Sequence, residues 1–186
     1  GRERELKIVC ELIEGTIDRL PLALASVHGP RGIGKTRLIH AAVARIQLNA
    51  VSNGRPAPSL ISGTAPQVAR CLIGSAQDRT SDDPLSRWMN ECEQESVLPH
   101  MEEAAVRQLA TAVLGTPAPS VIVFQEVAGA WPTSLFLWLQ ELGAERSADG
   151  ICVVAETEER PRALERGVYT DVLELPLSPL SREDAD

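Results

Sequence analysis

The residues with the clearest chemical capacity are Gly29-Pro30-Arg31-Gly32-Ile33-Gly34-Lys35-Thr36. Their spacing, G-x-x-x-x-G-K-T, is that of a phosphate-binding P-loop. Such a loop turns its backbone N–H groups onto phosphate oxygens, and Gly29, Gly32 and Gly34 permit the close approach and unusual dihedrals this needs. Lys35 is a point charge with reach to the β- and γ-phosphates. Thr36 offers a hydroxyl to Mg²⁺ and opens a helix whose N-terminal dipole favours an anion. Pro30, Arg31, Ile33 and the following Arg37 are read as part of the same nucleotide contact. The glycines run G-x-x-G-x-G, which does not fit the dinucleotide fingerprint G-x-G-x-x-G.

A second chemical position is Gln125-Glu126, at the end of the apolar run Ser120-Val121-Ile122-Val123-Phe124. A P-loop site commonly takes an acid from the end of another buried strand to hold Mg²⁺, and a neighbouring acid can orient the attacking water. Here the first position is Gln125, whose amide can accept a hydrogen bond but brings no charge. Mg²⁺ prefers hard, charged oxygen ligands. Glu126 supplies the immediate carboxylate. The expected set is therefore Lys35 and Glu126 for catalysis, with Thr36, Gln125 and Glu126 on the metal side.

These residues need a scaffold, and the chain is patterned to provide one. Leu22–Val27 is a short apolar run before the loop, as a buried parallel strand should be. After the loop Leu38, Ile39, Ala42, Val43 and Ile46 recur at helical spacing. Before it, residues 3–19 carry Leu6, Val9, Leu12, Ile13 and Ile17 on one helical face. Residues 49–58, with Asn53-Gly54 and two prolines, read as a loop, and 59–62 as a short strand. Helices are expected near 66–73 and 84–94, with Trp88 a packing residue. Firmer ones run over 102–114, stopped by Gly115, and from Pro132 to about Leu142, stopped by Gly143. Ile151–Ala155 reads as a buried strand followed by polar 156–159, then a helix near 161–168 and a last strand over 172–175. Strands alternating with helices imply a parallel α/β sheet with ligands at the strands' C-terminal ends.

Composition narrows the classes. The 186 residues are 44% hydrophobic, enough for one domain with a substantial core. No apolar run approaches the ~20 residues of a membrane span. The net charge of −8 argues against a broad grip on nucleic acid, so no direct DNA contact is expected. Cys10, Cys71, Cys92 and Cys152 lack C-x-x-C spacing and make no metal cluster with His28, His40 and His100; thiols in a reducing cytoplasm fit better. Only Lys7 and Lys35 are lysines, and neither follows Asn, so the N-K-x-D pattern of many GTPases is absent. ATP with Mg²⁺ is the expected ligand. The chain begins at Gly1 and ends at Ser181–Asp186, which reads as a helix starting. The expectation is one domain over 1–186, excised from a longer protein.

Four stretches together resemble the ATPase domain of STAND-type signalling proteins, most closely that of large LuxR-type transcriptional regulators and related AAA-like domains. They are Gly1-Arg2-Glu3-x-Glu5-Leu6, H-G-P-R-G-I-G-K-T-R-L from His28, V-I-V-F-Q-E from Val121, and L-P-L-S-P-L-S from Leu175. The resemblance spans nearly the whole chain, with its weakest part at 49–118. It implies a three-layer P-loop NTPase sandwich with a five-stranded parallel sheet of order 5-1-4-3-2. It also implies an ATP-dependent switch, with Arg2 and Glu3 beside the nucleotide base. The family's strand-end D-D stands here as Gln125-Glu126, and the Arg often found after its fourth strand as Thr157 or Glu158, with Arg160 the alternative source of that charge. The implied function is a regulatory ATP switch with weak or lid-dependent hydrolysis, the lid lying beyond Asp186. Its partners would be other domains of the same chain, with nucleotide-dependent self-association. The alternatives are a nucleotide-binding interaction module without useful turnover, which Gln125 favours, and a P-loop phosphotransferase.

Overall fold

The apolar runs pair edge to edge because a buried strand needs a neighbour for its backbone groups, and the three central runs are buried on both faces. The computed structural model describes residues 1–18, 22–74, 83–95, 98–127, 131–146, 150–159 and 172–179. Within these the strands are β1 (Ala23–His28), β2 (Ser59–Gly63), β3 (Ser120–Val127), β4 (Ile151–Thr157) and β5 (Val172–Pro176). They form one parallel sheet in the order β2-β3-β4-β1-β5, the expected 5-1-4-3-2 read from the other edge.

Helices cover both faces. On one side lie α1 (Glu3–Asp18) and α2 (Lys35–Ser52). Val9, Ile13, Leu38, Ile39 and Val43 pack there on the inward residues of β1, β3 and β4. On the other side lie α3 (Ala65–Ile73), α4 (Pro84–Gln94), α5 (Glu103–Leu114) and α6 (Trp131–Arg146). Their core includes Val68, Leu85, Met89, Leu109 and Leu139 against Ile122, Phe124 and Val153. Trp88 is buried, and its indole N–H donates to the Pro99 carbonyl at 3.1 Å, which makes it a packing residue.

Four boundaries differ from the sequence reading by two residues or more. α6 does not stop at Gly143 but runs to Arg146. A glycine inside a helix costs only about 1 kcal/mol, and burial of Leu135, Leu139 and Leu142 outweighs it. α2 continues past Asn49 to Ser52, drawn on by buried Ala50 and finished by Asn53, whose N–H reaches the Asn49 and Ala50 carbonyls. β3 runs on to Val127, and β4 to Thr157. The helices expected near 161–168 and from 181 lie outside the described residues. Among the described residues no helix is long and apolar enough to cross a membrane.

The cysteines divide by burial. Cys71 is exposed, while Cys152 is buried within β4 and its thiol is pushed up to about 12 by burial. Thiol reagents act on the thiolate. Iodoacetamide on the native chain, followed by mass spectrometry, is expected to label Cys71 and to reach Cys152 only after denaturation. Comparable labelling of both under native conditions would contradict the packing of β4.

Candidate phosphate-binding site

The loop starts where β1 ends, and its first glycine is fixed from both sides. The Gly29 N–H donates to the Thr157 carbonyl at 3.2 Å, and the Leu177 N–H donates to the His28 carbonyl at 2.8 Å. A Cβ on Gly29 would lie 2.6 Å from the Leu177 carbonyl oxygen, so no side chain fits. Gly32 and Gly34 have open space around them but adopt φ of 77° and 95°, a region L-residues rarely visit. α2 begins directly after Gly34, with no side chain capping its first amides. Those N–H groups and the helix dipole make an anion site. The Lys35 ammonium folds back, donating to the Gly29 carbonyl at 2.7 Å and the Pro30 carbonyl at 3.1 Å.

The acid beside Thr36 comes from β4. The Thr36 hydroxyl donates to Glu156 Oε2 at 2.7 Å. Glu156 is 2% exposed, and its Oε1 is buried without a hydrogen-bond partner among the described residues. Strand alternation explains the placement. Cys152 and Val154 face the α2 side of the sheet, so Glu156, two residues on, faces it too, alongside Val27 of β1. Burial pushes the Glu156 carboxyl above the usual carboxylate range. The Thr36 hydrogen bond and the Lys35 charge pull it back, and the Glu126 charge raises it further.

The end of β3 is organised differently. The β3–β4 register passes from Phe124↔Ala155 to Val127↔Thr157, so Gln125 and Glu126 together oppose Glu156 in a bulge. Gln125 Nε2 donates to Ser62 Oγ at 2.8 Å, and Ser62 Oγ is 2.9 Å from His40 Nε2. The Gln125 amide is thus engaged with β2, and through Ser62 it is linked to α2. Glu126 has φ of 52° and meets Arg31 at 3.3 Å. Both side chains are mostly exposed, at 66% and 80%, so the pair adds little to stability.

A cleft of about 270 Å³ opens at this point, lined by Arg31, Gly32, Gly34, Lys35, Thr36 and Arg37 of the loop and by Glu126, Glu156, Thr157 and Glu158. The structure thus gathers most of the residues singled out by the P-loop pattern, together with Glu126; Gln125 does not line the cleft. Arg2 lies against the back of the loop. Its guanidinium donates to the Ile33 carbonyl at 3.2 Å and the Ser178 carbonyl at 2.8 Å, and pairs with Glu5 at 3.4 Å. Glu3 stays at the surface, 3.3 Å from the N-terminal amino group. The residue that sequence reasoning missed is Glu156. Its signal was the polar pair directly following a five-residue apolar strand, on the strand that the sheet order sets beside β1.

The sheet order and the glycine-rich turn into α2 define a P-loop domain of the AAA type. The family model described as AAA ATPase domain matches residues 1–154, and the chain belongs to that family. Among solved structures it is similar to Aeropyrum pernix ORC1 in complex with DNA, at 17% identity and a TM-score of 0.61, covering 98% of this chain and 46% of that one. It is also similar to a chain of Drosophila ORC bound to DNA, at 21% identity and a TM-score of 0.56, covering 98% of this chain and 43% of that one. At these identities the likeness is one of fold, and this chain spans less than half the length of either. No curated protein matches it.

Proposed function

We propose that the chain is an ATP-binding regulatory switch domain, part of a signalling or transcription-regulatory protein of the STAND type, with weak or lid-dependent hydrolysis. The observation that carries this reading is the cleft at the P-loop, where Lys35 and Thr36 stand beside a buried carboxylate. The residues present fit Mg·ATP. The Gly29–Thr36 amides and Lys35 would hold the phosphates, and Thr36 with Glu126 or Glu156 would serve the metal. Arg31 and Arg37 add positive charge at the mouth. Bound Mg²⁺ would neutralise phosphate charge and fix phosphate orientation.

The switch part of the reading is supported by Arg2, which ties the start of α1 to the loop carbonyl of Ile33 and to Ser178 just after β5. Movement of the loop on nucleotide binding would pull on both chain segments, one leading into α1 and one leaving the sheet. The resemblance to LuxR-type regulators supports a cytoplasmic setting and partners among other domains of the same chain. The net charge of −8 supports a role for this segment without direct DNA contact.

The expected result is that ATP and ADP give different limited-proteolysis patterns, or different masses by light scattering, in the full-length protein. Identical behaviour with ATP, ADP and no nucleotide would sink the switch. Gln125, uncharged and bonded to Ser62, favours a second reading in which nucleotide is held without useful turnover. Steady hydrolysis near the ordinary enzyme range, about 1 per second or faster, would remove it.

A further inference from the structure

We infer that Glu156 on β4 is the carboxylate that holds the divalent cation of a bound nucleoside triphosphate, in place of an acid at the Gln125 position of β3. This rests on the ATP reading above and assigns its metal side. Position comes first. β4 lies between β3 and β1, and Glu156 is in register with Val27, just before the loop. The β3 acid Glu126 touches the loop only at exposed Arg31, whereas Glu156 is already in contact with the Thr36 hydroxyl.

The hydrogen bonding agrees. Oε2 is satisfied by Thr36, but Oε1 is buried and has no donor among the described residues. An unpaired buried carboxylate oxygen is costly, and a hard cation beside Thr36 would satisfy it. The groups on β3 are less well placed. Gln125 is bonded to Ser62, and Glu126, at the edge of the same cleft, is mostly exposed and paired with Arg31. Among the described residues no group of three or more His, Cys, Asp or Glu side chains could hold a metal alone. A cation here would depend on phosphate oxygens as well, the usual manner of Mg²⁺, which binds through one or two carboxylates plus substrate phosphates.

A merely structural Glu156 would tether Thr36 and nothing more. Glu156→Gln separates the two roles, because the amide oxygen still accepts the Thr36 hydrogen bond while the charge is gone. The test is calorimetric titration of ATP into wild type and Glu156→Gln, once in EDTA and once in Mg²⁺. The expected result is that Mg²⁺ tightens ATP binding by the wild type. Glu156→Gln should bind ATP in EDTA at least as tightly as wild type but lose about tenfold or more of the Mg²⁺-dependent gain, the scale of a charge-assisted contact. If Glu156→Gln does not fold, Glu156→Asp decides: its shorter carboxylate should diminish the gain, and an undiminished gain overturns the inference. Full Mg²⁺ dependence in Glu156→Gln also overturns it, as does a comparable gain created by Gln125→Asp. ATP binding by the wild type that ignores Mg²⁺ overturns this assignment and leaves the nucleotide reading standing. A wild type that binds no ATP at all removes the nucleotide reading itself.

Discussion

Lys35→Ala is expected to weaken ATP binding by about 1.5–3 kcal/mol, the range for a hydrogen bond to a charged group, or roughly 10- to 150-fold in Kd. The cause is the loss of the only lysine near the loop. Its ammonium already lies among the loop carbonyls of Gly29 and Pro30, a short swing from the space enclosed by Gly32, Gly34 and Thr36. The fold should barely respond. The side chain is partly exposed and belongs to neither apolar cluster, so surface-scale effects within about 0.5 kcal/mol apply. Calorimetry gives the affinity and thermal melting of the empty protein gives the stability. Equal ATP affinity in mutant and wild type would sink the assignment of the loop. A large fall in melting temperature would mean that the two carbonyl contacts hold the loop together.

Phe124→Ala is expected to have the largest effect on stability. Phe124 has no exposed surface and meets Trp131 edge to face, with ring centres 5.5 Å apart and planes at 77°. Truncating a buried Phe costs about 3–5 kcal/mol, a large share of the roughly 5–15 kcal/mol that holds a domain together. Leu137→Ala, at a position 45% exposed on the same side of the sheet, should change stability by no more than about 0.5 kcal/mol. Urea unfolding curves of the two variants supply the comparison. A shift for Phe124→Ala no larger than that for Leu137→Ala would show that β3 does not anchor this core. Phe124 also immediately precedes the bulge, so its loss should loosen Gln125 and Glu126 first.

The P-loop could be read directly from residue types because each position has a distinct physical duty: a close approach at Gly29, positive φ at Gly32 and Gly34, charge at Lys35, a hydroxyl at Thr36. The buried strands were legible from their apolar runs, and α1, α2 and α5 from their helical spacing. The carboxylate beside Thr36 was harder. Hydrophobicity ends β4 at Ala155, yet the backbone pairing carries on to Thr157, because the loop residue Gly29 still offers an N–H to bond there. A polar residue that stays in a strand looks like the beginning of a loop when only its polarity is read. The bulge in β3 was hidden for a related reason. Nothing in Gln125-Glu126 announces that two residues will face one across the pair. Gly143 misled in the opposite direction, since a helix stop signal is a weak local preference and the leucines around it had a core to fill.

The strand order has a consequence for how the molecule is made. β1 is the first strand in sequence, but its two neighbours in the sheet are the last two, β4 and β5. A chain emerging from the ribosome can form α1, α2 and the β2–β3 pair while β1 still has an open edge on each side. Long-range parallel pairing of this kind is slow, because the loop-closure entropy must be met before the contacts form. The phosphate cradle, pinned by Thr157 on one side and Leu177 on the other, is therefore among the last parts to become native. A nascent chain has every residue of the motif long before the loop has its final shape, which is complete only once synthesis has passed β5.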